Sequence, residues 1–347
     1  MSQARAPAFT LNSRVGRGRL RRLMKVFSVI LIWFLGAWAA SAQIPAAKLH
    51  PVQLFGHDYV SLDEFARLYD FRMRHSRGSA DVQMANRWAV LRFTVDSNRA
   101  EINGVNVWFS YPVAGQNDAV YVSLLDLKMT LQPILFPPKS SPPARVRTIC
   151  LDPGHGGKDP GNEVGRYQEK QFALLLAKAV RDLLVDAGLR VILTRASDSY
   201  PELPARPALA RAKGADMFVC LHFNSGPAEV KGSEVYCLTP AGARSTNDRG
   251  DRAALSSVEG NRWDAKNTLL AYEIQRSLVR SLGQEDRGMH RARFEVLRLA
   301  TVPAVLVESG FMTHPEEMRR IADPAWRQRL ARAIVDGLLA YRKLVER

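Results

Sequence analysis

The sequence predicts an α/β protein, a mostly parallel sheet with helices on both faces, preceded by a small α+β accessory domain. Three observations carry that reading. Beyond residue 147, apolar runs of strand length alternate with amphipathic helical runs, the pattern of a parallel sheet covered on both sides. A proline-rich stretch, FPPKSSPPAR at 136–145, can neither pair inside a sheet nor continue a helix, so it reads as a linker. Ahead of it, strand-like segments outnumber two brief helical starts. The expected organisation is a leader over 1–42, an accessory domain over 43–135, a linker over 136–146 and the α/β domain over 147–347.

The leader is read from charge and length. Residues 1–25 hold seven Lys and Arg and no acid, VFSVILIWFLGAWAA (26–40) is uncharged, and ASA at 40–42 offers small residues for cleavage after Ala42. These are the parts of a secretory signal peptide. An apolar run of 15 residues is short of the roughly 20 a spanning helix needs. No stable transmembrane anchor is therefore expected after cleavage, and the protein is expected in the periplasm, the cell envelope or outside the cell. Met24-Lys25 would open a leader of more ordinary length, so the start at Met1 or Met24 stays open. Arg21-Arg22 leaves the Sec and twin-arginine (Tat) routes open.

Loss of the leader lowers the net charge from +15 to +8 over 305 residues. A basic exported protein meets anionic wall polymer and lipid far more often than nucleic acid. The chain shows no nucleic-acid motif and no interleaving of basic and aromatic residues, so nucleic acid is set aside.

The accessory segment contains an internal echo. YVSLDEFARLY (59–69) and YVSLLDLKMTL (121–131) each give a short strand, a serine at a helix N-cap and an acid three residues on. Ser61 with Glu64 fits a capping box and Ser123 with Asp126 a looser version. Between them lie strands RWAVLRFTV and AEINGVNVWFS, the second turning at Asn103-Gly104 as a tight hairpin. Its histidines, His50, His57 and His75, are scattered and read as solvated or structural.

After the linker come strand RTICLD, a helix from Glu169 that stops at Gly188, strand RVILTR, a short helix through Leu209 to Lys213 and strand DMFVCLHF. Strand SEVYCLT, helix KNTLLAYEIQRSLVRSLG, strands FEVLR and PAVLVES and a last helix from about Pro324 follow. In that last helix Trp326, Leu330, Ile334 and Leu338 form a core-facing stripe.

The stretch TICLDPGHGGKDPGN (148–162) packs glycines around His155, and glycine serves where backbone bends sharply or approaches something closely. The spacing fails both phosphate-cradle tests. Asp152 stands where a P-loop needs its first glycine, and Asp159 where a dinucleotide fingerprint needs its third. A metal site fares better. His155, His222 and Glu308 each lie at the carboxyl end of an apolar strand run, where α/β sheets collect ligands, and Glu169 opens the first long helix. A lone histidine is more often core or surface than ligand; the joint placement of four such groups weakens that reading. His290 and His314 sit in polar contexts and read as solvated. Cys150, Cys220 and Cys237 are too few and scattered for a disulfide framework and read as small buried apolar groups. Cys220 shares a strand face with His222, which keeps a ligand role open for it.

LDPGHGGKDPG, EK, LTR, LHFNS, GSEVY and AVLVESGFMTHPEE, in that order, resemble the zinc-dependent N-acetylmuramoyl-L-alanine amidase family over residues 147–345. The resemblance implies that His155, Glu169 and His222 bind Zn²⁺ and that Glu308 is the catalytic acid/base. It implies peptidoglycan as substrate, cut at the amide between the muramic acid lactyl group and L-Ala of the stem peptide. Residues 48–135 resemble, at the level of pattern, the copper amine oxidase-like N-terminal domain of secreted wall proteins, without implying copper. Two imidazoles and a carboxylate leave one position of a tetrahedral zinc open for water, as a catalytic site requires. On this reading glycines 154, 156 and 157 keep the His155 loop tight and leave room for metal and glycopeptide, and Gly156→Val should reduce activity.

Some residues depart from the family or stay ambiguous. Glu163 competes with Glu169, which is preferred because it precedes Lys170 and opens the helix. Met312-Thr313-His314 replaces the commoner Leu-Ser-Asn. Glu259, in the polar stretch 241–265, offers a carboxylate able to block the site as an inserted helix does in regulated members, although a solvated loop is favoured. Arg206 is read as a structural ion pair ahead of a substrate contact, and Asn224 as loop support. Alternatives are another zinc peptidase on the same fold and a non-catalytic peptidoglycan-binding protein. The need for a protein activator and the oligomeric state are not legible.

Overall fold

The computed structural model describes residues 49–76, 78–139, 145–246 and 256–346, so the leader lies outside the described residues. The described residues belong to one compact unit, and none of their helices is long and apolar enough to cross a membrane.

The chain opens with β1 (Val52–Leu54), β2 (His57–Ser61) and α1 (Leu62–Leu68), followed by β3 (Arg72–His75), β4 (Asp81–Ala85), β5 (Val90–Thr94), β6 (Arg99–Ile102) and β7 (Val105–Trp108). Strands β3 to β7 form an antiparallel meander. Asn103 and Gly104 turn β6 into β7 with φ of 50° and 80°, the left-handed pair a two-residue hairpin needs. β8 (Ala114–Gln116) and β9 (Ala119–Ser123) join β1 and β2 in a separate sheet of order β1-β2-β9-β8. Helical turns α2 (Leu124–Asp126), a π-helical Leu127–Leu131 and α3 (Gln132–Leu135) close this half.

The two serine caps exist, with one change. Ser123 accepts from Asp126 N at 2.9 Å, as its spacing suggests. Ser61 instead accepts from Asp63 N at 3.1 Å, and Glu64 turns back to the backbone and ring of His50. The capping box is therefore not formed: Ser61 caps the N–H one residue earlier, and the nearby His50 takes the Glu64 carboxylate.

The second half supplies β10 (Thr148–Pro153), a small hairpin of β11 (Glu163–Val164) and β12 (Tyr167–Gln168), α4 (Glu169–Asp186), β13 (Arg190–Leu193), α5 (Ala205–Ala212), β14 (Met217–Asn224) and β15 (Ser233–Leu238). A 3-10 turn at Glu259–Trp263 leads into α6 (Asp264–Leu282), β16 (Asp286–Ala292), α7 (Glu295–Arg298), β17 (Ala304–Phe311), α8 (Pro315–Ala322) and α9 (Pro324–Val345). The Trp326, Leu330, Ile334 and Leu338 stripe is buried. At Gly337 the α9 backbone runs so close to α6 that a Cβ would stand 2.7 Å from Ile274 Cα.

Two elements differ from the sequence reading. FEVLR is the short helix α7, because five alternating residues satisfy a helical turn as readily as a strand. DRGMHRA, too charged to read as a strand, is β16, lying deep in the sheet with His290 and Arg291 buried.

The sheet runs β13-β10-β14-β17-β15-β16-β7-β6-β5-β4-β3. Pairing is parallel from β13 to β17, antiparallel between β17 and β15, and parallel again through β16 to β7. The meander of the first half therefore continues the sheet of the second. At the seam Met289 pairs with Val107. Asp286 Oδ2 accepts from Asn106 N at 2.6 Å, and Asn106 Nδ2 donates to Asp286 O at 2.8 Å. Val107, Phe109 and Leu131 share one apolar core with Leu270, Tyr272 and Met289.

The seam predicts a single cooperative unfolding transition by calorimetry. Asp286→Ala, which strips Asn106 N and Gln275 Nε2 of their acceptor, should lower stability by about 1–3 kcal/mol without splitting that transition. Two separate transitions would contradict the shared core.

Candidate metal centre

The wholly buried β10 ends in a run of left-handed backbone: His155 has φ 60°, Gly156 125° and Gly157 52°. Only glycine enters that region freely, so the strain concentrates on His155. The loop is closed by paired bonds between Gly156 and Asp159 at 2.9 and 3.0 Å. Asp198 ties it down by accepting from Gly157 N at 2.7 Å and from Lys170 Nζ at 2.8 Å. Below, Arg206 pairs with Asp152 at 3.0 Å and donates to the carbonyls of Pro153 and His155. Arg206 is 2 % exposed, so it braces the loop from inside the fold.

His155, Glu169 and His222 meet beyond the ends of β10 and β14, their ligating atoms all within 4.8 Å of one another. Glu169 is the first residue of α4, where a helix N-terminus favours negative charge. Its Oε2 lies 3.1 Å from His155 Nε2 and its Oε1 2.8 Å from His222 Nδ1. Oε2 also accepts from Asn162 N at 3.0 Å and Asn162 Nδ2 at 2.8 Å, and Oε1 from Phe223 N at 3.1 Å. Burial opposes ionisation of this carboxyl, yet the hydrogen bonds and charge of the two imidazoles hold its pKa well below the usual range. His155 Nδ1 donates to Asp159 Oδ2 at 2.8 Å, which leaves Nε2 as the ligating nitrogen. Burial works against protonation of His155, but Glu169 and Asp159 outweigh it and raise its pKa. The donor set of two imidazoles and one ionised carboxylate, with outer partners on His155 and Glu169, fits a zinc-type ion.

Glu308 stands on β17 with His222 as its parallel neighbour and Glu234 as its antiparallel one. Its Oε2 is buried and makes no hydrogen bond to a described residue. Burial, with the charges of Glu169 and Glu234, pushes its pKa well above the usual carboxyl range. A carboxyl whose proton is held this much more tightly than usual is suited to carrying a proton during hydrolysis.

The glycines divide their work differently from the sequence reading. A Cβ on Gly154 would lie 2.3–2.6 Å from the His222 ring, and one on Gly161 2.6 Å from His155 Cδ2 and 2.7 Å from Glu169 Oε2. A Cβ on Gly156 would stand 2.1 Å from the Ser199 carbonyl oxygen instead, so this glycine closes the loop against its neighbour rather than clearing room at the site.

Other candidates fall away from the cluster. Glu163 is exposed and accepts from Gln168 Nε2 at 2.8 Å. The Cys220 thiol donates to Asp152 Oδ2 at 3.0 Å, and burial raises its pKa well above normal. His290 is not solvated: it is buried between Trp108 and Tyr236, with ring centroids at 5.3 and 5.1 Å. His314 caps α8 by accepting from Glu317 N. Glu259 is exposed, beside Gly260, which packs on Leu238 at the end of β15 away from Glu234. Asn224 follows a register break after His222 and bonds Glu234 at 3.3 Å. Asp159, Asn162 and Arg287 carry no sequence pattern that marks them; for Glu234 the signal is a charge inside an otherwise apolar strand.

The chain is similar to proteins of one known family. A family model described as N-acetylmuramoyl-L-alanine amidase matches residues 149–340, more than half of the chain. The chain is 34% identical over 232 residues to N-acetylmuramoyl-L-alanine amidase AmiA of Escherichia coli (strain K12), covering 59% of this chain and 79% of that one. It is 32% identical over 220 residues to the uncharacterized protein YqiI of Bacillus subtilis (strain 168), covering 63% and 95%. The structure of N-acetylmuramoyl-L-alanine amidase AmiC2 of Nostoc punctiforme superposes with a TM-score of 0.48 at 31% identity, over 57% of this chain and 97% of that one.

Gly154→Ala should displace the His222 ring and reduce zinc affinity roughly tenfold or more, measured by competition with a chromophoric chelator. Gly226→Ala, whose Cβ would meet only ordinary contacts from 3.6 Å, should leave it unchanged. Equal affinities in the two variants would contradict the steric reading.

Proposed function

The chain belongs to the N-acetylmuramoyl-L-alanine amidase family, and on that premise we propose that His155, Glu169 and His222 hold Zn²⁺ while Glu308 handles the protons of hydrolysis. The activity is hydrolysis of peptidoglycan at the amide joining the muramic acid lactyl group to L-Ala of the stem peptide. The observation that carries the site assignment is the convergence of the three ligating groups beside the unpartnered Glu308 Oε2.

Zn²⁺, when bound, supplies Lewis acidity toward a carbonyl oxygen and a water. Around it the chain does the positioning. Asp159 fixes the His155 ring by its Nδ1–H, and Asn162 with Phe223 N holds both oxygens of Glu169. Glu308, adjacent to His222 across the sheet, is placed to take a proton from the attacking water. As the C–N bond breaks, that proton passes to the departing nitrogen, so the products are a lactyl carboxylate and a free L-Ala amine.

Export belongs to the same proposal. It is supported by a charged n-region, an apolar run and a small-residue site within 1–42, and by a substrate that lies outside the cytoplasmic membrane. The division into a leader over 1–42, an accessory part over 43–135, a linker over 136–146 and a catalytic part over 147–347 is kept on sequence grounds. On this reading the accessory part also completes the catalytic sheet through β7.

Glu308→Gln should lower release of dye-labelled fragments from sacculi by roughly a hundredfold or more while zinc content stays at one per chain. Muropeptide products of the wild type should carry intact stem peptides with a free L-Ala amine. Cuts inside the stem peptide, or full activity in Glu308→Gln, would overturn the assignment.

A further inference from the structure

Beside Glu308 the structure holds a guanidinium that the hydrolysis described above does not use. Arg287 lies on β16, and its Nε donates to Oε1 of Glu234, the cross-strand neighbour of Glu308. Glu234 is buried and already has two other donors, Tyr236 OH at 2.6 Å and Asn224 Nδ2 at 3.3 Å. Arginine–carboxylate pairs are frequently bidentate, engaged through two parallel N–H groups. Here only Nε is engaged, and among the described residues neither terminal nitrogen donates a hydrogen bond. The side chain is 34% exposed, so that free edge reaches solvent.

The rest of Arg287 is held still. Its face lies over the Phe311 ring at 5.0 Å, three residues beyond Glu308 on β17. Its carbonyl accepts from Trp108 Nε1 at 2.8 Å and lies 3.0 Å from His290 Nε2. Trp108 belongs to the accessory half, so the strand that continues the sheet also fixes the backbone of this arginine. A planar fork with its stem, face and backbone fixed and its far edge open is preorganised for a bidentate anion.

We propose that Arg287 is a substrate-binding residue that receives a carboxylate of the stem peptide beside the scissile amide. The inference rests on the amidase reading above and names a specificity element within it. The residue after L-Ala in the stem is a D-isoglutamyl unit, whose α-carboxyl is either free or amidated. That carboxyl lies one residue past the alanine, about 3.8 Å further along the chain. The Arg287 guanidinium reaches Glu234, one strand spacing of about 4.8 Å from Glu308, so a peptide laid outward from Glu308 brings this group to Arg287. The free acid would gain the fork; the amidated form would not.

Two muramyl tripeptides differing only at that α-carboxyl, isoglutamate against isoglutamine, test this. Binding is measured by calorimetry in zinc-loaded Glu308→Gln protein, and kcat/KM in the otherwise wild-type protein. The acid form should be favoured by roughly tenfold to a hundredfold in both measurements. Arg287→Gln should bring the ratio near one. Arg287→Lys, which keeps a charge for Glu234 but lacks the fork, should stay folded and zinc-loaded while losing most of the preference. No preference in the unsubstituted Arg287 protein, or a preference that persists in Arg287→Lys, would overturn the proposal. The binding arm needs no turnover, so its failure is distinguishable from a failure of the amidase reading.

Discussion

One buried carboxylate organises the working end of this fold. Glu169 is 1% exposed, and an ionised group so placed is tolerated only when its oxygens are saturated. Five contacts do this: the rings of His155 and His222, the backbone and side chain of Asn162, and Phe223 N. They come from the β10 loop, the segment ahead of the β11 hairpin and the end of β14, so satisfying one charge fixes three pieces of chain at the mouth of the sheet. Stripping a partner from such a group costs about 3–5 kcal/mol, which makes the arrangement a structural requirement as much as a chemical one. The same charge helps raise the pKa of Glu308, so the groups proposed for metal binding and proton transfer influence one another through Glu169.

The sheet carries that arrangement further than the catalytic sequence alone. β15 reverses direction beside β17 and brings Glu234 level with Glu308; β16 then brings Arg287 to Glu234. β7 pairs with β16, and Trp108 stacks on His290, which in turn stacks on Tyr236, whose hydroxyl donates to Glu234. The chain of contacts from the accessory meander to the carboxylates is continuous, which gives the first half a physical role in shaping the site.

Much of this was legible in the sequence, for identifiable reasons. His155, His222 and Glu308 announce themselves because each ends an apolar run, and a polar residue there must face either solvent or a ligand. Glu169 is readable because a long amphipathic helix begins on it. The hairpin at Asn103-Gly104 and the α9 stripe follow from local conformational preference and period. What was hidden depends on contacts between distant segments. β16 buries His290 and Arg291, so its apolar signal is absent although it sits deep in the sheet. Asp159 and Asn162 matter through partners that only the folded loop supplies. Glycine content marks the loop as close-packed, but which space each glycine makes depends on the fold: Gly154 clears His222, whereas Gly156 faces Ser199. The linker signal was equally real as composition, yet proline content says nothing about whether the sheet continues past it.

The central claim is that Glu169 draws two imidazoles into a site for one cation. A crystal structure of the zinc-loaded protein, with anomalous data collected on both sides of the zinc edge, tests it most directly. The account predicts one strong peak per chain, bounded by His155 Nε2, His222 Nδ1 and an oxygen of Glu169, with Glu308 unbound beside it. A peak at Glu163 or Cys220, or Glu308 replacing Glu169 as ligand, would contradict it.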